Sequence, residues 1–131
     1  ALAADIPHLG RLDAPDGSAS RRSPQCGSTV TADVRMEGER VADFAQTVRA
    51  CALGQASAGV LGRMMPGLTR DEIATGRDAL AAMLAGGPVP EGRFAALEAL
   101  SAAREFRNRH ASIMLAWDAA VAAADEAMQR A

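Results

Sequence analysis

The sequence predicts an α+β domain in which a small antiparallel sheet packs against several helices, and three observations carry that prediction. Residues 29 to 36 alternate polar and apolar side chains, and residues 41 to 48 form a second β-rich run after a short turn. From Ala50 onward the apolar residues recur at helical spacings. Strands gathered before the helices, rather than alternating with them, are the mark of this class. The 131 residues make one domain, 1–131, with little room for a second core.

Residues 7 to 28 carry three Pro, several Ser and Gly and the Arg21-Arg22 pair, a mixture expected to form exposed loop. In the first strand, Val30, Ala32, Val34 and Met36 face one side and Thr29, Thr31, Asp33 and Arg35 the other. Glu37-Gly38-Glu39 supplies a turn, and Val41 to Val48 returns antiparallel, giving a hairpin whose edge is open to a third strand. Leu53, Ala56, Val60 and Met64 then share one face of a helix that Pro66-Gly67 stops. Thr69 and Glu72 fit a capping box for a second helix, which runs to about Leu84 before Gly86-Gly87-Pro88. A shorter helix from Phe94 to about Ala103 carries Phe94, Leu97 and Leu100. The last shows Ile113, Trp117, Val121, Ala124 and Met128 as a single stripe.

Composition removes several functions at once. All 14 basic residues are Arg, so a lysine Schiff base or a P-loop lysine is excluded, and a net charge of −2 disfavours nucleic acid as a partner. The 31 alanines are expected mainly to raise helix propensity. The longest uncharged stretch, Ala50 to Gly62, is well short of the roughly 20 apolar residues of a membrane span. No export signal is evident, so the cytoplasm is expected, and Cys26 and Cys51 read as thiols or metal ligands before they read as a disulfide. No catalytic constellation emerges, because Ser57 has no assignable His or acid and no Gly-rich phosphate loop follows a strand.

The most informative arrangement is Pro24-Gln25-Cys26-Gly27-Ser28 entering the hairpin and Cys51 opening the helix that leaves it. Antiparallel strands bring the chain back to its starting end, so the two thiols are expected within a few ångströms although 25 positions separate them. The unsatisfied amides and positive dipole end of the helix should favour the Cys51 thiolate.

These segments resemble the U-type iron–sulfur cluster scaffolds: IscU, SufU and the amino-terminal domain of NifU. Pro7-His8-Leu9-Gly10-Arg11-Leu12 is similar to the family's "NPxNxGxL", Pro24 to Ser28 to "PxCGD", and Cys51 to Ala58 to "CxIxxASAS". Phe106-Arg107-Asn108-Arg109 with Leu115-Ala116-Trp117 is similar to the SufU segment "FPxRxKCATLAW", and the extra helical stretch from about Gly86 to Glu105 points to the same branch. The resemblance implies a SufE/NifU-like fold, here with the amino-terminal helix cut away. It also implies a non-catalytic scaffold or sulfur acceptor that holds an iron–sulfur cluster, iron or, alternatively, zinc. Its implied partners are a cysteine desulfurase and apo iron–sulfur recipient proteins.

Family members bind their cargo through three Cys and one Asp, and here the set is reduced. Ser28 stands where the family has Asp. Counting back without a gap from Trp117 puts Ser112 at the third Cys, whereas matching His110-Ala111-Ser112-Ile113 to "HCSI" puts Ala111 there and keeps His110 as a ligand. The expected metal set is therefore Cys26, Cys51 and His110, with Ser28, water or a partner completing it. Cys51 is the preferred persulfide acceptor. A zinc-dependent sulfurtransferase and a metal-free interaction module are the alternatives. Arg104, Arg107 and Arg109 form either a solvated face or a docking patch for an acidic partner.

Overall fold

The computed structural model describes residues 6–24 and 27–130, so Cys26 lies outside the described residues. Three antiparallel strands, β1 (Gly17–Arg22), β2 (Thr29–Glu37) and β3 (Arg40–Arg49), form a sheet in the order β1-β2-β3. Helices α1 (Ala52–Met64), α2 (Arg70–Leu84) and α3 (His110–Arg130) follow, with 3-10 helical segments at Gly92–Glu105 and Arg107–Arg109 between the last two. The α+β architecture expected from the sequence is the one observed. Among the described residues, no helix is long and apolar enough to cross a membrane.

The hairpin forms as its pattern predicts, with Gly38 turning the chain at a φ of +64° and Thr29 paired to Arg49 at the far end. Val30, Ala32 and Val34 point into the core with Phe44 and Val41. The loop expected over 7 to 28 is interrupted by β1, a correction. Gly-Ser-Ala-Ser-Arg-Arg has poor strand propensity, but it pairs along β2 from Gly17↔Val34 to Arg22↔Thr29. Gly17 also lies against α3, where a Cβ would be driven into the Ala123 carbonyl oxygen and the Ala127 amide. Only a residue without a side chain brings this edge strand so close to the helix.

The polar side of β2 is less exposed than simple alternation implies. Asp33 is fully buried because residues 6 to 13 strap across the sheet. Gln46 accepts from the Gly10 amide and donates its own amide to the His8 carbonyl, both at 2.8 Å. Arg11 then grips Asp33 with Nε at 2.6 Å, assisted by the Leu12 amide and the Ser18 hydroxyl. Burial alone would raise the Asp33 carboxyl, but these donors outweigh it and hold it below the usual range.

Helix α3 is the centre of the molecule, packing on β1 and β2 on one side and on α1 and α2 on the other. That double contact explains its alanines. Ala116, Ala119, Ala120, Ala123 and Ala124 are buried and let both layers approach, so here the alanine excess serves packing as well as propensity. Ile113, Trp117, Val121 and Ala124 of the expected stripe are buried, while Ala127 takes the interior place in the last turn and Met128 is half-exposed. Helix α2 carries the reciprocal Thr69–Glu72 capping box. The helix expected over 94–103 is a 3-10 segment, and its buried Leu97, Leu100 and Ala103 recur every three residues, the period of that helix.

The buried face of α1 is rotated from the expected one. Gly54, Ser57, Ala58 and Leu61 are interior, and of the expected stripe Val60 is buried whereas Leu53, Ala56 and Met64 are only partly buried against the core. The reason is the close seat of α1 on α3. A Cβ at Gly54 would meet the Ser112 hydroxyl at 2.8 Å, and the Ser57 hydroxyl donates to the Ile113 carbonyl at 2.6 Å.

Candidate functional site

At one end of the sheet, β1 finishes at Arg22, β2 starts at Thr29, β3 finishes at Arg49, and α1 begins. The loop between β1 and β2 is pinned there by the Ser23 amide donating to the Ser28 carbonyl and the Gly27 amide donating to the Ser23 carbonyl. Cys51 is the N-cap of α1. Its extended backbone, φ −67° and ψ 172°, aims the chain out of β3 and into the helix. An open pocket of about 360 Å³ lies here, lined by Gly27, Ser28, Arg49, Ala50, Cys51 and Arg109.

Within it the three side chains Cys51, Ser112 and Ser28 form one line. Sγ of Cys51 is 3.5 Å from Oγ of Ser112, which donates to Oγ of Ser28 at 3.1 Å. Both serines are buried, while Cys51 is half-buried and reachable. Burial raises the Cys51 thiol, but the Ser112 hydroxyl, the backbone amides of Gly54 and Leu53 and the Arg109 charge together bring it below the ordinary thiol value. The hydroxyl proton of Ser112 can rotate. With a protonated thiol the line runs from Cys51 through Ser112 to Ser28, and with a thiolate Ser112 turns its O–H onto sulfur. The arrangement favours a nucleophilic or metal-ligating sulfur.

The structure places Ser28, Ser112 and Arg109 in or beside the pocket of Cys51, while Cys26, its expected neighbour, lies outside the described residues. His110 is placed elsewhere. Its Nε2 is turned to the carbonyls of Ala103 and Arg104, at 3.1 and 3.2 Å, and it lines a separate pocket with Leu84, Gly86, Glu105 and Arg107. The cause is helical geometry, since residues two apart on a helix face opposite ways and Ser112 is the one turned to α1. Ala111 is exposed. Of the two readings of this segment, the ungapped one, which puts Ser112 at the third position, fits the geometry. Among the described residues no group of three or more His, Cys, Asp or Glu side chains could hold a metal ion.

Ser57 has a clear structural role, locking α1 to α3 one residue beyond Ser112. Arg109 was legible only as part of a charge cluster, and no local signal in the sequence separates it from Arg104 and Arg107.

No family model and no curated protein matches the chain. Solved structures do. The chain is 42% identical to the crystal structure of a nitrogen-fixing NifU-like protein (N-terminal) from Brucella abortus, covering 99% of this chain and 91% of that one, with a TM-score of 0.94. A hypothetical protein is 23% identical over 95% of this chain and 93% of its own, with a TM-score of 0.85. A candidate iron–sulfur cluster assembly scaffold protein for the SUF system, from the thermophile Fervidobacterium islandicum AW-1, is 19% identical over 90% and 87%, with a TM-score of 0.84, and so shares the fold.

Proposed function

This chain belongs to the family of NifU-like amino-terminal domains, and from that premise we propose that it is a non-catalytic scaffold of iron–sulfur cluster assembly whose cargo is received on the Cys51 thiolate. The observation that carries the reading is the seat of Cys51. A reachable thiol whose anion is favoured by Ser112, two backbone amides and Arg109 lies at the point where the β1–β2 loop, β3 and α1 meet. Cys26 is the second thiolate of the reading, being adjacent in sequence to Gly27, which lines the same pocket.

The ligand set gives this scaffold a particular character. Clusters are commonly held by four thiolates, and the chain contains two cysteines. Ser112 and Ser28 are neutral hydroxyls, much poorer ligands than the thiolate and carboxylate of the family pattern. Iron or a cluster bound here keeps open positions, which suits a cargo that is passed on rather than stored. His110 stays outside the set in this reading, with its ring nitrogen on backbone carbonyls.

Sulfur delivery by a cysteine desulfurase fits the same thiol. The Cys51 thiolate attacks the outer sulfur of the enzyme's persulfide. A new S–S bond forms at Cys51, the enzyme's S–S bond breaks, and its cysteine leaves as a thiolate. This transfer is redox-neutral; turning the persulfide sulfur into cluster sulfide takes two electrons from an external reductant, such as a dithiol, and returns the Cys51 thiolate. Apo iron–sulfur proteins are the acceptors in the next step.

Iron, sulfide and zinc analysis of protein purified without oxygen tests the proposal. Iron with sulfide, lost in Cys51→Ser and kept in His110→Ala, is the expected result. Stoichiometric zinc would favour the sulfurtransferase alternative. Iron unaffected by Cys51→Ser, or no iron after anaerobic loading with desulfurase, cysteine, ferrous iron and a dithiol reductant, would overturn the scaffold reading.

A further inference from the structure

Arg11, Arg35, Arg40, Arg70, Arg77, Arg93 and Arg130 are each in an ion pair with a carboxylate. Arg49 and Arg109, which line the Cys51 pocket, have no carboxylate within ion-pair distance among the described residues, and neither has Arg22, which flanks Thr29 opposite Arg49 in the sheet. Arg21, Arg104 and Arg107 likewise have no ion pair with a carboxylate among the described residues, so what sets Arg49 and Arg109 apart is the pocket they share with Cys51. The described lining of the pocket includes no Asp or Glu. A chain of net charge −2 thus leaves uncompensated guanidinium groups around its one described thiol.

Three independent features of that pocket suit a small anion. Arg49 and Arg109 supply positive charge to it from two elements, one from the end of β3 and the other from the segment before α3. Guanidinium donors match the oxygen spacing of tetrahedral oxyanions. Cys51 stands at the N-terminus of α1 and the Ser112 hydroxyl of α3 is 3.5 Å from its sulfur, so a neutral donor sits beside the place where negative charge would be held. The pocket's volume of about 360 Å³ exceeds that of such an ion.

We infer that the mouth of the Cys51 pocket is a recognition site for a small tetrahedral oxyanion of the sulfate or phosphate class, held by Arg49 and Arg109, which makes Cys51 selective for anionic reactants. The inference concerns the same pocket as the scaffold reading but requires neither cargo nor partner. Its failure and the failure of metal loading are therefore separate results.

The test is the alkylation rate of Cys51 in the Cys26→Ser variant, where it is the only thiol, with negatively charged iodoacetate and neutral iodoacetamide at fixed ionic strength. Charge focusing in the pocket should raise the iodoacetate-to-iodoacetamide ratio about tenfold over that of N-acetylcysteine. Inorganic sulfate, and in a parallel arm phosphate, should slow iodoacetate saturably, and whichever protects at lower concentration identifies the preferred ion. Combining Arg49→Gln with Arg109→Gln should return the ratio to that of N-acetylcysteine, whereas Arg130→Gln, remote and paired to Glu126, should leave it raised. A misfolded variant is recognised because both reagents would speed up together, and the single substitutions Arg49→Lys and Arg109→Lys, which keep the charge, should retain most of the ratio. A ratio within twofold of N-acetylcysteine, or one unchanged by the double substitution, or sulfate protecting no better than chloride, would overturn the inference.

Discussion

The two ends of the sheet treat charge in opposite ways. Where β1 starts, Asp33 is sealed from solvent and satisfied by Arg11, Leu12 and Ser18, and Gly17 is pressed onto α3. Where β1 ends, Arg22, Thr29 and Arg49 lie in one row, and Arg49 and Arg109 line the pocket of a half-buried thiol with no carboxylate paired to them among the described residues. At the first end the buried carboxylate is fully matched, as a structural join requires. The second leaves its charges and its sulfur available, which costs some stability and is informative for that reason. One sheet thus separates the work of holding the fold from the work of meeting a ligand.

The largest way to break that contrast is Gly17→Ala. Its Cβ would overlap the backbone of α3 at Ala123, and backbone cannot yield as a side-chain tip does. A loss of about 3 kcal/mol in denaturant unfolding is expected, with Cys51 alkylation in the folded fraction unchanged. Next is Asp33→Asn, which weakens the grip on the strap and leaves buried donors poorly matched, at a cost of about 2 kcal/mol near neutral pH. Because the folded-state pKa of Asp33 is depressed, its contribution is present above the ordinary carboxylate range and is lost as pH falls through the depressed value. The stability gap between wild type and Asp33→Asn should therefore narrow on acidification below about pH 4. A gap that stays constant to pH 2 would remove the ion pair from the strap's account.

Gly54→Ala bridges the two concerns. The added methyl would press on the Ser112 hydroxyl and on Ala50, so α1 must lift from α3 beside the thiol. About 1 to 2 kcal/mol is expected, together with a slower thiolate reaction at neutral pH. Unchanged reactivity would mean that Ser112 does not position the sulfur.

What the sequence disclosed follows the range of the forces involved. The hairpin, the α2 capping box and the Cys51 helix start are local, fixed by neighbours within a few residues, and they were legible. β1 was not, because its six residues carry no β-branched or aromatic side chain and it forms through pairing with β2 and contact with α3. Burial of Asp33 depends on Arg11, 22 positions away, and no alternation pattern reveals that strap. The thiol end was half-legible. Strand return predicts that Cys26 and Cys51 meet, and Cys26 lies outside the described residues, while the choice between His110 and Ser112 needs the rotation of α3, which its seat on α1 through Ser57 sets.

The subtlest test is therefore Ser112→Ala, which isolates the hydroxyl from everything else in the pocket. Stability should change by less than about 1 kcal/mol, since a single neutral hydrogen bond to a half-exposed sulfur contributes little. The thiol should respond more clearly. Ser112 is the foremost of the groups that lower it, ahead of the Gly54 and Leu53 amides and Arg109, while burial, which raises it, is untouched. The midpoint of Cys51 alkylation against pH, measured with neutral iodoacetamide in the Cys26→Ser background, should move upward, so that less thiolate is present at pH 7. Ser112→Cys should do the reverse of a deletion, placing a second sulfur against Cys51 and increasing iron retention. If Ser112→Ala left the midpoint where it was while Arg109→Gln moved it, the hydroxyl line would be incidental and the thiol would owe its character to the open, cationic end of the sheet alone.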